Sequence, residues 1–556
     1  MKPEYKKIET VPGKYFNMEE AAVRGFCNFC KNNIPLLIAV SVTLVFTYGI
    51  RLFWYTISID TELFMADKSG MMKWHLGIGR FGHVLLSKFL HIKEFNPFTA
   101  FFTAFCLIWF FTISWCYIIA IFSRDTVKNY KLIPFALMFM TVPIWAEQFF
   151  SLLQVTENAL IVSLCPYVVY LLFKGFLDSE KRKIICASVL LVLMISVYQT
   201  IVLLFCCGTF ACFLLLQEHS DYEPKVYRNL CLKLLVTLVV SLAVYFFIDR
   251  VVIPAVFSIE RHYYLENKIQ WGNRTPGELV IVVLLFSYAT TIGHIPLVQH
   301  IVNPLLAGYE TNIIEFLARV SKICGNVLLL PAGVLFLVKV TQTMRRTIPP
   351  GRKLLYMLAC IGIPLCIVFP AVIGADWPPA RSQYALPLAS SFMLFFLIKT
   401  YKKKAAAVVA CLTLLVAAYQ AQVTAQLFYS DHLRYNEDVR LAYELNSLIT
   451  RVQPGNAKLP VALVGNYQTA NRFNPNFLRG DLIGNSVFGI APNAHGTTRR
   501  GLSFMKNMGI NYDMPDEDQI ERAYKEAVSM PAYPNPGCVR RVRDFIVIRI
   551  SENFYE

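Results

Sequence analysis

A chain of 556 residues that is 56% apolar and only 16% charged, with a mean hydropathy of +0.47, is not an ordinary soluble globule, whose charged fraction is nearer a quarter. The formal charge of +16 does not mark a nucleic-acid binder, because Lys and Arg cluster in short loops between apolar runs rather than along one face. The 15 cysteines lie mostly inside apolar segments, among them Cys106, Cys116, Cys206, Cys207 and Cys366, where a thiol acts as a small hydrophobe and a disulfide framework is not expected.

The chain opens with a polar segment, 1–33, that lacks the basic region, apolar run and small-residue cleavage site of a secretory signal and reads as cytoplasmic. Within it, Cys27-Asn28-Phe29-Cys30 has the CxxC spacing of a redox or zinc pair, but no second pair or His partner falls on the same side of the membrane. Laying a template of about 20 apolar residues along the chain predicts spans near 34–57, 98–122, 132–150, 152–173, 184–198, 200–216, 230–248, 322–340, 354–373, 386–398 and 405–428. A further apolar stretch, 278–298, reads as a span, a re-entrant hairpin or an interfacial helix. The expectation is an α-helical polytopic protein of about eleven spans over 34–429.

Short loops rich in Lys and Arg stay in the cytoplasm. Lys128 and Lys131, Lys181 to Lys183, Arg345, Arg346, Arg352, Lys353 and Lys402 to Lys404 all fall on one side of this arrangement. Loops 58–97, 198–199, 249–312 and 374–385 then face outward, as does everything after about 430. The protein is thus expected in the cell membrane, the plasma or inner membrane, as a multi-pass chain with its N-terminus in the cytoplasm. The polar tail, 430–556, predicts a helix at 431–451, a strand at 459–464, helices at 499–508 and from Asp516, and a strand at 544–550, a small extracytoplasmic α/β domain. It carries no GxGxxG or GxxxxGK[ST] loop, so no nucleotide site is expected.

Asp60 and Glu62 follow the first apolar span directly, and acids so close to a bilayer core tend to face a wet cavity. Two apart, they diverge on a helix and share a face in an extended segment; the extended form would let one act as a base while the other tunes it. The plain alternative is a pair of solvated loop acids. Trp74-His75 and Gly79-Arg80-Phe81-Gly82-His83 precede a run that suits an amphipathic interfacial helix, where Arg80 either clamps a phosphate or anchors the interface. Glu147-Gln148 and Glu157 bring polar groups to the outer boundary, and Tyr198-Gln199 forms the tip of a helical hairpin. The loop Gly374-Ala-Asp376-Trp377-Pro378-Pro379-Ala380-Arg381 offers a guanidinium whose planar fork suits phosphate or sugar oxygens. Arg261-His262-Tyr263-Tyr264 and Trp271 add aromatic faces that fit sugar rings or an interfacial belt equally well.

The order of these features, from Ile57-Ser-Ile-Asp60-Thr-Glu62 through Trp74, Gly79-Arg80-Phe81, Glu147-Gln148-Phe149-Phe150 and Tyr198-Gln199 to the Arg381 loop, resembles the bacterial GtrII-type glucosyltransferases. These are polytopic enzymes of the GT-C class, and the resemblance covers about the first 400 residues. It implies transfer of a sugar, glucose foremost, from undecaprenyl phosphate to a cell-surface glycan such as O-antigen or a wall polymer, on the outer face and with inversion. Asp60 would be the general base, with Glu62 its alternative or an acceptor-positioning partner, and Arg80 and Arg381 would bind the donor phosphate. Trp74, His75, Glu147, Gln148, Glu157, Tyr198, Gln199 and Asp376 would line the substrates. No cofactor is required by this chemistry, and a divalent cation is possible but not indicated. A transporter or flippase for lipid-linked sugars is the competing reading, although no internal repeat is evident. A noncatalytic scaffold that presents the tail would leave Asp60, Glu62 and Arg381 unexplained.

Overall fold

The computed structural model describes residues 23–90, 96–123, 129–219, 222–262, 269–293, 295–305, 317–318, 320–321, 323–453, 459–469 and 477–554. Among them the chain is mainly helical, and seven helices are long and apolar enough to cross a bilayer: Ile34–Phe53, Pro97–Ser123, Val155–Leu177, Ile201–Glu218, Pro224–Phe257, Pro350–Gly374 and Lys403–Val452. Shorter apolar helices lie at Lys131–Thr141, Pro276–Thr291 and Ala385–Thr400. The helices Lys181–Val197 and Leu329–Arg346 match two further expected spans in place.

Two expectations need correction. The single span expected at 132–150 is broken: a helix ends at Thr141, Pro143 interrupts it, and a separate short helix runs Ile144–Phe149. Proline disfavours helical backbone in the residue before it, here Val142, and Trp145 secures the corner by donating its indole N–H to the Phe139 carbonyl at 2.8 Å. The span expected at 405–428 and the separate helix at 431–451 are one helix of 50 residues, Lys403–Val452. No Gly or Pro occurs between Lys402 and Gln453, so nothing local stops it until Pro454-Gly455. The run after Arg80, expected as a helix, is the helix Phe81–Phe89, and two further short helices, Thr61–Ala66 and Lys68–Gly77, precede it.

In the tail, β1 (Val461–Val464) pairs in parallel with β3 (Phe545–Arg549), and β2 (Val539–Val542) pairs antiparallel with β3, giving the order β1-β3-β2. Parallel neighbours need a crossover connection, and here it contains the helices Ala494–Asn507 and Glu517–Val528. The second starts where the acidic sequence predicts, with Asp516 and Gln519 forming a capping box.

The tail is fastened to the helical body by a buried ionic network. Arg434, wholly buried on the long helix, binds Asp431 at 2.6 Å and Asp438 at 3.1 Å and donates to the Ile57 carbonyl at 3.0 Å. Arg51, at the end of the first span, donates to Thr56 and to the Phe150 carbonyl, both at 2.6 Å, and lies 3.7 Å from Asp431. The tail closes the network: Gly484 N donates to Asp431 at 3.3 Å, and Ser486 Oγ and Val487 N donate to Asp438 at 2.5 and 3.2 Å. Removing one partner would leave buried charges uncompensated, so Arg434→Ala should destabilise the solubilised protein by about 3–5 kcal/mol. Arg440→Ala, which removes exposed pairs with Glu437 and Glu444, should cost less than about 1 kcal/mol in the same denaturation experiment.

Candidate active site

The network that holds Ile57 also sets the two acids that follow it. Ser58 Oγ donates to the Phe150 carbonyl at 3.3 Å, and Thr61 and Ser151 share a hydroxyl contact at 3.3 Å. Between them Asp60 turns the chain in the left-handed conformation (φ 71°), which Asp tolerates better than most residues, and Thr61 begins a helix. The expected extended segment is therefore a turn followed by a helix. The carboxylates converge for another reason: Arg500, from the tail helix Ala494–Asn507, reaches both.

Its Nη2 sits 2.9 Å from Asp60 Oδ1, and its Nη1 pairs with Glu62 Oε1. The Asp60 side chain is 35% exposed, that of Arg500 20%, and that of Glu62 is fully buried. Burial pushes the Glu62 carboxyl up to about 7, against the pull of Arg500 and with a further push from Asp60. Among the described residues Glu62 Oε2 is buried without a hydrogen-bond partner. The same tail helix adds Asn507, which donates to the Glu62 carbonyl at 2.9 Å.

A second cluster is centred on Arg80. Gly79 precedes it with φ +78°, and a Cβ there would lie 2.5 Å from Tyr245 Oη and 2.8 Å from Asp249 Oδ1, so only glycine fits. The Arg80 guanidinium lies 4.5 Å over the ring of Tyr198, and Tyr198 meets Tyr384 with ring centroids 5.2 Å apart. Tyr384 donates to Gln148 Oε1 at 2.6 Å, and Gln148 in turn donates to the Arg381 carbonyl. Arg80, Tyr198, Gln148 and Arg381 thus belong to one connected set. Among the described residues no carboxylate pairs with Arg80, and its Nε is buried without a partner. His75 and His83 stack at 4.4 Å beside it; burial drives both imidazoles down, His83 to about 3, and the Arg80 charge pushes the same way. Both rings are neutral near pH 7.

Arg381, in the turn Ala380–Ser382, is paired with the tail, its Nη1 lying 3.0 Å from Asp481 Oδ2. Glu147 is bound by the same loop: Asp481 N donates to Oε1 at 2.6 Å and Leu482 N to Oε2 at 3.0 Å. A Cβ on Gly480 would fall 1.7 Å from Glu147 Oε1, so this residue must be glycine for the loop to wrap the carboxylate. Burial, and then the Asp481 charge, push the Glu147 carboxyl up to about 8 despite its two amide donors.

The remaining candidates tie loops to one another. Trp74 packs on His262 at 4.5 Å, Gln199 donates to the Ile78 carbonyl at 2.9 Å and to Tyr245 at 3.1 Å, Ser87 donates to Glu157, and Asp376 pairs with Arg274 at 2.6 Å. Trp271 donates to the Ile373 carbonyl at 2.9 Å, while Tyr263 and Tyr264 lie outside the described residues. Sequence reasoning missed Arg500 and Asp481. Their only signal was a charge argument: buried acids at one boundary require a cation from some segment on the same side.

The raised carboxyls bind protons more readily folded than unfolded, so Glu147 makes stability fall as pH rises from about 4.5 towards about 8, and Glu62 does the same up to about 7. Below about 6.5 the depressed imidazoles act in the opposite sense, which leaves 6.5–8 as the clean window. The thermal midpoint of the solubilised protein should drop across that window, and Glu147→Gln should flatten the drop; an unchanged slope would refute the assignment.

No curated protein matches the chain. A family model described as glucosyl transferase GtrII matches residues 49–398, more than half of the sequence, and that stretch contains Asp60, Glu62, Arg80, Glu147, Gln148, Tyr198 and Arg381. Asp481 and Arg500 lie beyond its end. The chain belongs to the GtrII glucosyl transferase family.

Proposed function

We propose that this protein is an inverting membrane glycosyltransferase that moves a sugar, glucose first among candidates, from a polyprenyl-phosphate carrier to a cell-surface glycan on the outer side of the cell membrane. The observation that carries the reading is the partly exposed carboxylate of Asp60, fixed on the same end of the helical body as Arg80, whose charge no described carboxylate offsets. The basic runs Lys181 to Lys183, Arg345-Arg346 and Lys402 to Lys404 flank the opposite ends of their helices, which supports an outward-facing site.

In this mechanism an acceptor hydroxyl attacks the anomeric carbon of the donor sugar. The new C–O bond forms as the bond from that carbon to the phosphate oxygen breaks; the electron pair leaves with the polyprenyl phosphate, and the hydroxyl proton passes to Asp60. Arg80 holds the phosphate and stabilises the charge that grows on it. Arg381 joins it by exchanging Asp481 for the phosphate, an exchange of one anion for another. Gln148 and Tyr384 support the Arg381 turn, and Tyr198 supports Arg80. Two guanidinium groups meet the charge of the leaving group, so the reaction as written needs no cofactor.

Transfer from a synthetic polyprenyl-phosphate-[14C]glucose to membrane glycan tests the reading. Asp60→Asn should lower the rate by about 10²–10⁴-fold in protein that folds as the parent does. Arg80→Ala should weaken both donor KM and kcat. Lipid-linked sugar crossing vesicle bilayers with no transfer at all would move the assignment to a flippase.

A further inference from the structure

The matched family segment ends at residue 398, yet the counter-charge of both candidate acids comes from residue 500. Glu62 is fully enclosed and could not remain ionised there without a cation, and Arg500 has a second hand for Asp60 only because its first is anchored on Glu62. Asp60 gives Oδ1 to this arginine, and its other oxygen makes no hydrogen bond among the described residues. Three further contacts hold the helix that carries Arg500. Thr498 Oγ1 accepts from Leu463 N of β1 at 2.9 Å, Asn507 reaches the Glu62 carbonyl at 2.9 Å, and Lys506 reaches that of Ala66 at 3.3 Å.

We infer that Arg500 is a positioning residue of the transfer reaction: it holds Asp60 by one carboxylate oxygen so that the other is turned to the acceptor hydroxyl, and the tail thereby forms one wall of the catalytic centre. This rests on the reading of Asp60 as the base. Glu62 is the anchor, not a second base. A planar fork is needed because the two acids lie on a turn and a helix and no single-point cation can address both in fixed geometry. The charged groups facing Asp60 are Arg500 and Glu62; the same helix also carries Arg499 and Lys506.

Full-length Arg500→Gln, Arg500→Lys and Asp60→Asn, each checked for folding, are compared for kcat and donor KM. Arg500→Gln should lower kcat by about tenfold or more with donor KM within about twofold, because Asp60 loses the contact that fixes its direction. Arg500→Lys should restore part of kcat; it also keeps the test open should Arg500→Gln fail to fold. An unchanged kcat in folded Arg500→Gln, beside an inactive Asp60→Asn, overturns the positioning role and leaves the proposed function standing. A fall in kcat with no rescue by Lys, or one matched by an equal loss of donor affinity, overturns it too, in favour of a purely structural contact. Activity retained in Asp60→Asn overturns the proposed function itself.

Discussion

Arg51, Asp431, Arg434 and Asp438 sit together out of reach of water, two charges of each sign, and the backbone amides of Gly484 and Val487 complete them. Such a cluster is tolerable only when whole, since each ion loses its hydration and recovers it solely from the others. Three segments far apart in sequence therefore order as a unit: the end of the first span, the middle of the long helix and the tail loop around residues 484–487. The Ile57 carbonyl is one of the acceptors, and Asp60 stands three residues beyond it. The position of the proposed base is thus a by-product of neutralising the core.

Electrostatics then separates the groups on this end of the molecule by role. Burial depresses His75 and His83, so the two imidazoles stacked beside Arg80 are uncharged at neutral pH. The Arg80 guanidinium lies on the ring of Tyr198, and a low-polarity bed of this kind strengthens its field towards an incoming anion. Arg381 differs: its charge is already met by Asp481, and the cost of that exchange is part of how donor binding would be tuned.

Most helices, the strands at 461–464 and 545–549 and the cap at Asp516 were legible because local period, proline, glycine and acidic first turns encode them, whereas Asp60 and Glu62 meet through Arg500 and not through the extended segment that their spacing suggested. The break at Pro143 was visible in the sequence but outweighed by hydropathy, and the unbroken Lys403–Val452 helix was obscured because composition turns polar at 430 while helix-forming residues continue. Arg500 and Asp481 were out of reach. They lie 440 and 100 residues from Asp60 and Arg381, and no periodicity links residues so distant; the fold alone chooses which of many tail cations and acids arrive.

A helix of 50 residues extends about 75 Å, more than twice the hydrocarbon thickness of a bilayer, and it has no hinge at which its two halves could turn independently. It therefore works as a rotational gauge. Each residue advances the direction of a side chain by about 100°, so Asp431 faces Arg51 and Arg434 reaches the Ile57 carbonyl only while the number of residues separating them from the buried Ala417 and Thr424 is kept. Adding or removing one residue in that interval would swing the acids out of phase with the first span while leaving hydropathy and helix length almost unchanged. Length in this chain is free to vary in its loops, but in the upper half of this helix it is an angular quantity.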